Sequence, residues 1–115
     1  LMKKIIKKPW GSEEILSKNK KYVLKKLMMK KGCRCSLQYH RKKHETIYVL
    51  SGKLKILIGK NLKKLNKKIL KKNQILILEP NTYHRMEGLI DSIYLEASTP
   101  QLSDVVRISD DYNRK

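Results

Sequence analysis

The sequence predicts an all-β fold, a single antiparallel β-barrel or jelly roll built from its 115 residues. Short apolar runs rich in β-branched and aromatic residues recur at roughly ten-residue spacing, with Gly, Asn and Lys turns between them. No segment sustains the apolar period of an amphipathic helix. A chain of this length has room for one hydrophobic core, so a single domain is expected over residues 1–115.

The first third of the chain is predicted to contain two extended segments. Ser12–Leu16 begins the first, and Tyr22–Met29 forms the second. Because side chains alternate along a strand, Lys25 shares a face with the apolar Leu27 and Met29. Lys25 is therefore expected either to reach the rim of the sheet with its ammonium group or to point into a polar cavity.

The rest of the chain is predicted to continue as short strands, followed by a tail. The predicted strands are Glu45–Leu50, Leu54–Ile58, a short element at Ile69–Leu70, Ile75–Leu78, a strand around His84, and Ser92–Ala97. Residues 103–115 are interpreted as a C-terminal tail with some apolar content.

Four side chains within these strands have the chemistry of metal ligands. Gln38 and His40 are two residues apart, so on an extended strand they point to the same side. Glu45 opens the next predicted strand, and a hairpin joining the two would place these three groups on one inner surface. His84 is expected to complete the set from a distant strand. An imidazole pair with oxygen donors suits zinc, iron, manganese or nickel. The alternative is that both histidines are ordinary surface or core residues.

The net charge of +18 comes almost entirely from lysine, and it does not predict nucleic-acid binding. The lysines are scattered as doublets instead of forming one stripe. With no Phe and one Trp, the chain offers no aromatic platform for stacking bases. A positive field of this size should instead attract small anions such as sugar phosphates. We expect no specific nucleic acid and no membrane among the partners.

Features near the N-terminus and the two cysteines bear on the compartment. Leu1 precedes Met2 and is interpreted as a cloning remnant. No apolar region of a signal peptide follows the basic N-terminus, so a cytoplasmic protein is expected. Cys33 and Cys35 share a face if extended, where a bridge would strain the backbone, and they are expected to be reduced, small apolar residues.

The stretch Gly32–Gly52 has a spacing that resembles the first motif of the cupin family. It runs Gly, five residues, Gln-x-His, four residues, Glu, six residues, Gly, with Gln38 where the first histidine usually stands. Pro80–His84 resembles the second cupin motif, with Asn81 in place of its glycine. Asn is the non-Gly residue best suited to a left-handed turn position, so the exchange is mild.

The flanking segments extend the resemblance to nearly the whole chain. In order, they read KPWGSEEIL, YVLKKLMMKKG, SLQYH, VLSG, YHRMEG and DVVRISDDYNR. Together they resemble the C-terminal cupin domain of bifunctional bacterial enzymes that combine mannose-6-phosphate isomerase and mannose-1-phosphate guanylyltransferase. The nucleotidyltransferase half is not in this sequence, so no guanylyl transfer is expected from it.

The resemblance implies a role for particular residues. Gln38, His40, Glu45 and His84 resemble the metal ligands, with zinc as the expected ion and manganese, cobalt, nickel or iron as alternatives. Arg85 and Lys25 are implied as catalytic contacts to phosphate or a developing oxyanion. Arg41 is expected to bind substrate.

The family's histidines are missing at two places, where this chain has Arg41-Lys42 and Thr46-Ile47. These departures affect groups that could shuttle protons and leave the four ligand positions intact. His44 and Glu87 are the remaining candidates for a general base.

The implied function is metal-dependent interconversion of mannose 6-phosphate and fructose 6-phosphate. A homodimer is expected, since cupins commonly pair their sheets. Two alternatives stand beside the implied function. One is a non-catalytic cupin that binds a sugar phosphate. The other is a nucleotide-sugar isomerase or epimerase of the same fold.

Overall fold

The computed structural model describes residues 4–115, where the regular secondary structure is all strand. The strands are β1 (Lys4–Lys8), β2 (Gly11–Lys18), β3 (Val23–Met29), β4 (Leu37–Tyr39), β5 (Glu45–Ser51), β6 (Lys53–Gly59), β7 (Asn66–Lys71), β8 (Ile75–Leu78), β9 (Tyr83–Gly88), β10 (Ser92–Ser98) and β11 (Val106–Ser109). In this part of the chain no helix is of a kind that could cross a lipid bilayer. Leu1, interpreted above as a cloning remnant, lies outside the described residues.

The strands form two sheets whose pairings are all antiparallel. Sheet A has the order β1-β2-β3-β10-β5-β8, and sheet B has the order β11-β4-β9-β6-β7. The successive strands β4 and β5 belong to different sheets, as do β9 and β10, so the chain crosses repeatedly between the two layers. This is the arrangement of a jelly roll, and the predicted all-β antiparallel fold is confirmed.

The hydrophobic core fills the space between the sheets. In β3, Lys25, Leu27 and Met29 are all buried, as the predicted alternation requires. The fully enclosed apolar side chains come from both layers: Val23, Met29, Ile47, Val49, Tyr94, Leu54, Ile56 and Leu78. Buried polar and charged side chains accompany this apolar core, and those of the candidate site, His40, Glu45, His84 and Glu96, are among them.

The predicted hairpin between the Gln38 segment and the Glu45 strand is wrong. Gln38 lies in β4 of sheet B and Glu45 begins β5 of sheet A, so the two segments face each other across the core. The loop between them crosses from one sheet to the other. The carboxylate of Asp104 holds this loop by accepting hydrogen bonds from the backbone amides of Arg41, Lys42 and Lys43 at 3.1, 2.7 and 2.9 Å.

The C-terminal segment is part of the fold. Residues 103–115, interpreted as a tail, contain β11, which pairs with β4 at the edge of sheet B. Arg107 of β11 is in register with Gln38 of β4, and Gln38 is in register with His84 of β9. The last segment of the chain therefore lies beside the residues that the sequence predicts as metal ligands.

Candidate functional site

His40, Glu45 and His84 converge between the two sheets. His40 directly follows β4, Glu45 begins β5, and His84 lies in β9, so three separate segments supply the cluster. One ligand atom from each residue lies within 4.8 Å of the others, and all three side chains are buried. The centroids of the two imidazole rings are 5.1 Å apart. Two nitrogen donors and one carboxylate in this arrangement can hold a metal ion.

Backbone carbonyls fix the orientation of both imidazole rings. Nδ1 of His40 lies 2.5 Å from the carbonyl oxygen of Asp104, and Nδ1 of His84 lies 3.0 Å from that of Thr82. Because a carbonyl only accepts hydrogen bonds, each ring carries a proton on Nδ1. A neutral ring then presents an unprotonated Nε2 to the interior, and both Nε2 atoms are buried without a hydrogen-bond partner. This is how histidine ligands are usually oriented toward a metal.

Glu45 remains ionised despite its burial. Burial raises the pKa of its carboxyl group, but a hydrogen bond from the doubly protonated His40 ring and the charges of Lys43 and the two histidines together lower the pKa to about 2. Its Oε1 lies 3.1 Å from Nε2 of His40 and 2.6 Å from Nζ of Lys43. With its proton on Nδ1, a neutral His40 has none to donate to Glu45, so the 3.1 Å contact brings two electron-pair donors together. Such a pair is suited to share a cation.

Gln38 lies next to the three other predicted ligands. It is the register partner of His84 in the neighbouring strand and lines the same cavity as His40 and Glu45. Its Oε1 accepts a hydrogen bond from the hydroxyl of Ser36. A carbonyl oxygen has two lone pairs, so one remains available at this position.

A cavity of about 110 Å³ lies beside the cluster. Besides Gln38, His40 and Glu45, its walls are formed by Lys8, Trp10, Glu13, Lys25, Leu27, Cys35, Lys43, Met86, Tyr94, Glu96, Val105, Arg107 and Arg114. His84 is not part of the cavity wall, but its ring centroid lies 5.1 Å from that of His40. The cavity therefore combines the candidate ligands with an apolar wall and a set of buried charges.

Lys25 occupies the cavity, which is the second of the two placements considered from the sequence. Its ammonium group forms an ion pair with Glu13 and lies 4.0 Å from Glu96. Burial raises the pKa of Glu13, but the hydrogen bonds and charges of Lys25 and Lys8 together outweigh burial and lower it. Glu96 behaves oppositely, since burial and then the charge of Glu45 raise its pKa to about 7.

Arg85 is not brought to the cavity, although the resemblance implied a catalytic contact there. It follows His84 on β9, so strand alternation points its side chain to the opposite face of sheet B. Its Nε donates to the carbonyl of Cys35 at 2.8 Å, and a terminal nitrogen donates to Asp111 at 2.9 Å. The guanidinium group thus fastens the C-terminal segment to the outside of the sheet.

Three other residues considered from the sequence also lie away from the cavity walls. Arg41, expected to bind substrate, is exposed in the loop that Asp104 holds. His44 is exposed, and Glu87 is half-buried in β9, so neither general-base candidate faces the cavity.

Sequence reasoning missed four cavity residues: Lys43, Glu96, Arg107 and Arg114. Glu96 lies in β10, a strand that was correctly predicted, so alternation alone could have placed it on the inner face. Lys43 lies in the loop just before β5, where alternation gives no such information. Arg107 and Arg114 belong to DVVRISDDYNR, a segment whose resemblance was recognised. Their position beside the cavity follows from the pairing of β11 with β4 in sheet B, which the sequence does not indicate.

The chain is similar to known proteins over most of its length. The model of the family described as Mannose-6-phosphate isomerase C-terminal matches residues 2–110. A protein of Vibrio cholerae serotype O1, named "Putative mannose-1-phosphate guanylyltransferase", is 29% identical over 108 residues, which are 90% of this chain and 22% of that protein. The chain thus spans about a fifth of the length of this curated relative.

Solved structures show the same architecture. The capsular polysaccharide assembling protein CapF from Staphylococcus aureus matches with a TM-score of 0.82 and 16% identity, over 95% of this chain and 32% of that chain. An RmlC-like cupin from Shewanella frigidimarina matches with a TM-score of 0.74 and 16% identity, over 87% of this chain and 86% of that chain. At these identities the likeness establishes the fold, and the predicted cupin jelly roll is confirmed.

Proposed function

Since the chain belongs to the family described as Mannose-6-phosphate isomerase C-terminal, we propose that it is a metal-dependent isomerase that interconverts mannose 6-phosphate and fructose 6-phosphate. One observation carries the proposal. The buried His40, Glu45 and His84 cluster lies against a cavity that also holds the buried carboxyl group of Glu96 and several cations. Aldose–ketose isomerisation needs these groups together, because a proton must move between two carbons while charge develops on the adjoining oxygens.

The donor set fits a divalent cation. His40 and His84 would bind through Nε2 and Glu45 through a carboxylate oxygen, with the Gln38 oxygen as the fourth ligand. Zinc suits this mixture best, and manganese, cobalt, nickel and iron are the alternatives to be tested. When bound, such an ion would supply Lewis acidity to an oxygen of the substrate.

Glu96 is the best-placed group to move the proton. The reaction removes a proton from C2 of the aldose and returns it to C1, while another proton passes from O2 to O1. Glu96 is buried in the cavity, and the nearest cation found for its carboxylate, Lys25, is 4.0 Å away. With a pKa of about 7 it can both accept and release a proton near neutral pH. We assign to it the role that His44 and Glu87 were considered for from the sequence.

Two lysines are placed to stabilise negative charge on the substrate oxygens. Lys25 lies in the cavity between Glu13 and Glu96, and Lys43 lies beside Glu45. An ammonium group in a buried site interacts more strongly with developing charge than it would in water. Lys25 keeps the catalytic role implied by the resemblance, while Lys43 takes the place first given to Arg85.

The second candidate is a cupin that binds a sugar phosphate without turning it over. The contact between Lys43 and Glu45 favours this alternative, because the ammonium group satisfies the carboxylate without any metal. A nucleotide-sugar isomerase or epimerase is the third possibility, and its substrate would carry a nucleotide in place of the 6-phosphate.

A coupled assay tests the proposal. Protein freed of metal and reloaded with zinc, manganese, cobalt or nickel is given fructose 6-phosphate, and mannose 6-phosphate is measured. Turnover should require metal, should disappear in His84→Ala, and should persist in His44→Ala, whose histidine is exposed and outside the cluster. Saturable binding of fructose 6-phosphate without turnover under any metal would favour the non-catalytic cupin.

A further inference from the structure

The charged groups around the cavity are mostly matched in pairs. Nζ of Lys8 lies 3.4 Å from Glu13, Lys25 contacts Glu13, and Nζ of Lys43 lies 2.6 Å from Glu45. Arg114 is likewise paired, since its guanidinium nitrogens donate to Asp110 at 3.0 and 3.1 Å. These four cations already have carboxylate partners.

Arg107 differs from the other cations that line the cavity. Among residues 4–115 its guanidinium has no ion pair with an Asp or Glu side chain, and one terminal nitrogen donates to the main-chain oxygen of Lys115, the last described residue. Its Nε is buried and has no hydrogen-bond partner there. A buried N–H that has lost its water without gaining an acceptor is a site to which an acceptor is attracted.

The register of sheet B places Arg107 at a useful distance from the cluster. Arg107 pairs with Gln38 on β4, and Gln38 pairs with His84 on β9. Residues directly opposite on antiparallel strands point to the same face, and neighbouring strands are about 4.8 Å apart. Arg107 therefore lies roughly 10 Å across the sheet from His84, on the same inner side.

We propose that Arg107 anchors the phosphate group of the sugar-phosphate ligand. The carbonyl end of that ligand is then directed toward His40 and Glu45. A guanidinium group donates two parallel hydrogen bonds to phosphate oxygens, which fixes the orientation of the ester as well as its charge. In a phosphorylated hexose the phosphate and the reactive carbonyl are at opposite ends of the molecule. Arg107 and His84 are separated in a comparable way, by two strand spacings across sheet B.

The role of Arg107 rests on the proposed function, in which it is the specificity group, and Arg107 takes the place of Arg41 as the substrate-binding arginine. Arg41 was expected to hold the phosphate, but it is exposed in the loop between β4 and β5. Arg114 and Lys8 would add to the positive field around Arg107 without leaving their own carboxylates.

Trp10 provides the measurement. It is the one tryptophan of the chain, is buried, and lines the cavity, so its fluorescence should respond to a bound ligand. Inorganic phosphate, fructose 6-phosphate and unphosphorylated fructose are titrated into wild type, Arg107→Gln and Arg41→Gln. The two variants lose the same charge, so they separate a local contact from the general field of the protein.

Arg107→Gln should weaken binding of inorganic phosphate and fructose 6-phosphate at least tenfold, while Arg41→Gln should change it less than twofold. Binding of unphosphorylated fructose should be the same in all three proteins. If Arg107→Gln does not fold, Arg107→Lys is used, and it should lose affinity because a single ammonium replaces the fork.

Equal affinities in Arg107→Gln and Arg41→Gln would overturn the proposal, as would the absence of saturable binding to wild type. Binding is measured independently of turnover, so the two proposals can fail separately. Phosphate binding that depends on Arg107 in a protein without isomerase activity would count against the proposed function alone. Isomerase activity with an unchanged KM in Arg107→Gln would count against the anchor alone.

Discussion

The protonation of two imidazole rings decides what the cluster can bind. Asp104 and Thr82 each offer a backbone carbonyl to Nδ1, which leaves Nε2 of His40 and of His84 unprotonated and facing Glu45. Burial lowers the pKa of His84, and the charge of Glu45 only partly opposes this effect. The neutral form that a metal requires is therefore the form that burial favours.

Replacing either histidine should remove metal binding without unfolding the chain. His40→Ala and His84→Ala each delete one of two nitrogen donors, so stoichiometric zinc binding should be lost, while circular dichroism should still report a β-sheet protein. His44→Ala is the matched control and should bind zinc like wild type. Elemental analysis after reloading and gel filtration measures the outcome. Wild type that retains no metal after reloading would contradict the assignment.

The raised pKa of Glu96 predicts an unusual dependence of stability on pH. The folded carboxyl titrates at about 7, against an ordinary value of 4.5, so between these pH values the folded state binds more protons than the unfolded state. The contribution of Glu96 is therefore fully present below pH 4.5 and is lost as the pH rises toward 7.

Glu96→Gln should remove this loss of stability at higher pH, because glutamine does not ionise. In metal-free protein, the free energy of unfolding of the variant relative to wild type should increase between pH 5 and pH 8, by on the order of 3 kcal/mol at most. Urea unfolding at the two pH values measures it, with Glu87→Gln as control. The same variant should lose turnover by roughly a hundredfold or more if Glu96 moves the proton. A relative stability that is the same at both pH values would contradict the predicted titration.

Several residues of the site could be predicted from sequence spacing, while others required the third dimension. The sequence placed His40, Glu45 and His84 together, and Asn81 does adopt the expected left-handed conformation, with φ of 62°. The resemblance implied a cavity position for Arg85, but side-chain alternation along β9 excludes that position. Two neighbouring residues of a strand cannot both face the core, so a side chain adjacent to His84 had to point away.

At the level of whole elements, the C-terminal segment supports the ligand loop. The Asp104 carboxylate holds the amides of residues 41–43, and its carbonyl orients His40. These backbone hydrogen bonds also lower the pKa of Asp104, although burial acts in the other direction. The loop, β11 and the first histidine ligand are thus mechanically linked.

Asp104→Ala should loosen the loop and weaken metal binding roughly 10- to 100-fold, because partners that orient a ligand usually matter to this extent. Overall stability should fall by only about 1 kcal/mol, since water can replace the carboxylate at exposed amides. Asp91→Ala is a suitable control, because Asp91 also accepts a backbone hydrogen bond, from Lys31, but far along the chain from the loop. Equal zinc affinity in the two variants would show that the loop does not need Asp104.

Strand positions were largely predictable, and strand partners were not. Short apolar runs rich in β-branched and aromatic residues identified β3, β5, β8 and β10 as strands. Alternation states which side of a strand is buried but does not state which strand lies beside it. The predicted hairpin failed for this reason, since β4 and β5 bury their inner faces against each other from opposite sheets.

On the scale of the whole molecule, sheet A leaves apolar side chains on its outer face. Ile75 and Ile77 on the edge strand β8 are 55% and 54% exposed, and Met28 of β3 is 45% exposed. We propose that the expected homodimer forms through this face. Because each chain carries a charge of +18, association should strengthen as salt screens the repulsion.

Ile77→Lys should convert the dimer to a monomer in sedimentation velocity experiments, because a charge would be buried in the interface. Ile108→Lys places the same charge at an exposed position in β11 of sheet B and should leave the dimer intact. A monomeric wild type at moderate salt, or the same sedimentation coefficient for the two variants, would refute the assignment of this face.

Proton transfer between C1 and C2 of a hexose phosphate is the central claim, and NMR in deuterated water tests it most directly. Zinc-loaded protein is incubated with fructose 6-phosphate in deuterated water. Both the formation of mannose 6-phosphate and the appearance of deuterium at C2 of that product are followed. We predict both signals in wild type, and neither in His84→Ala or in protein treated with a chelator. Stable fructose 6-phosphate without deuterium in the presence of every metal tested would contradict the isomerase assignment.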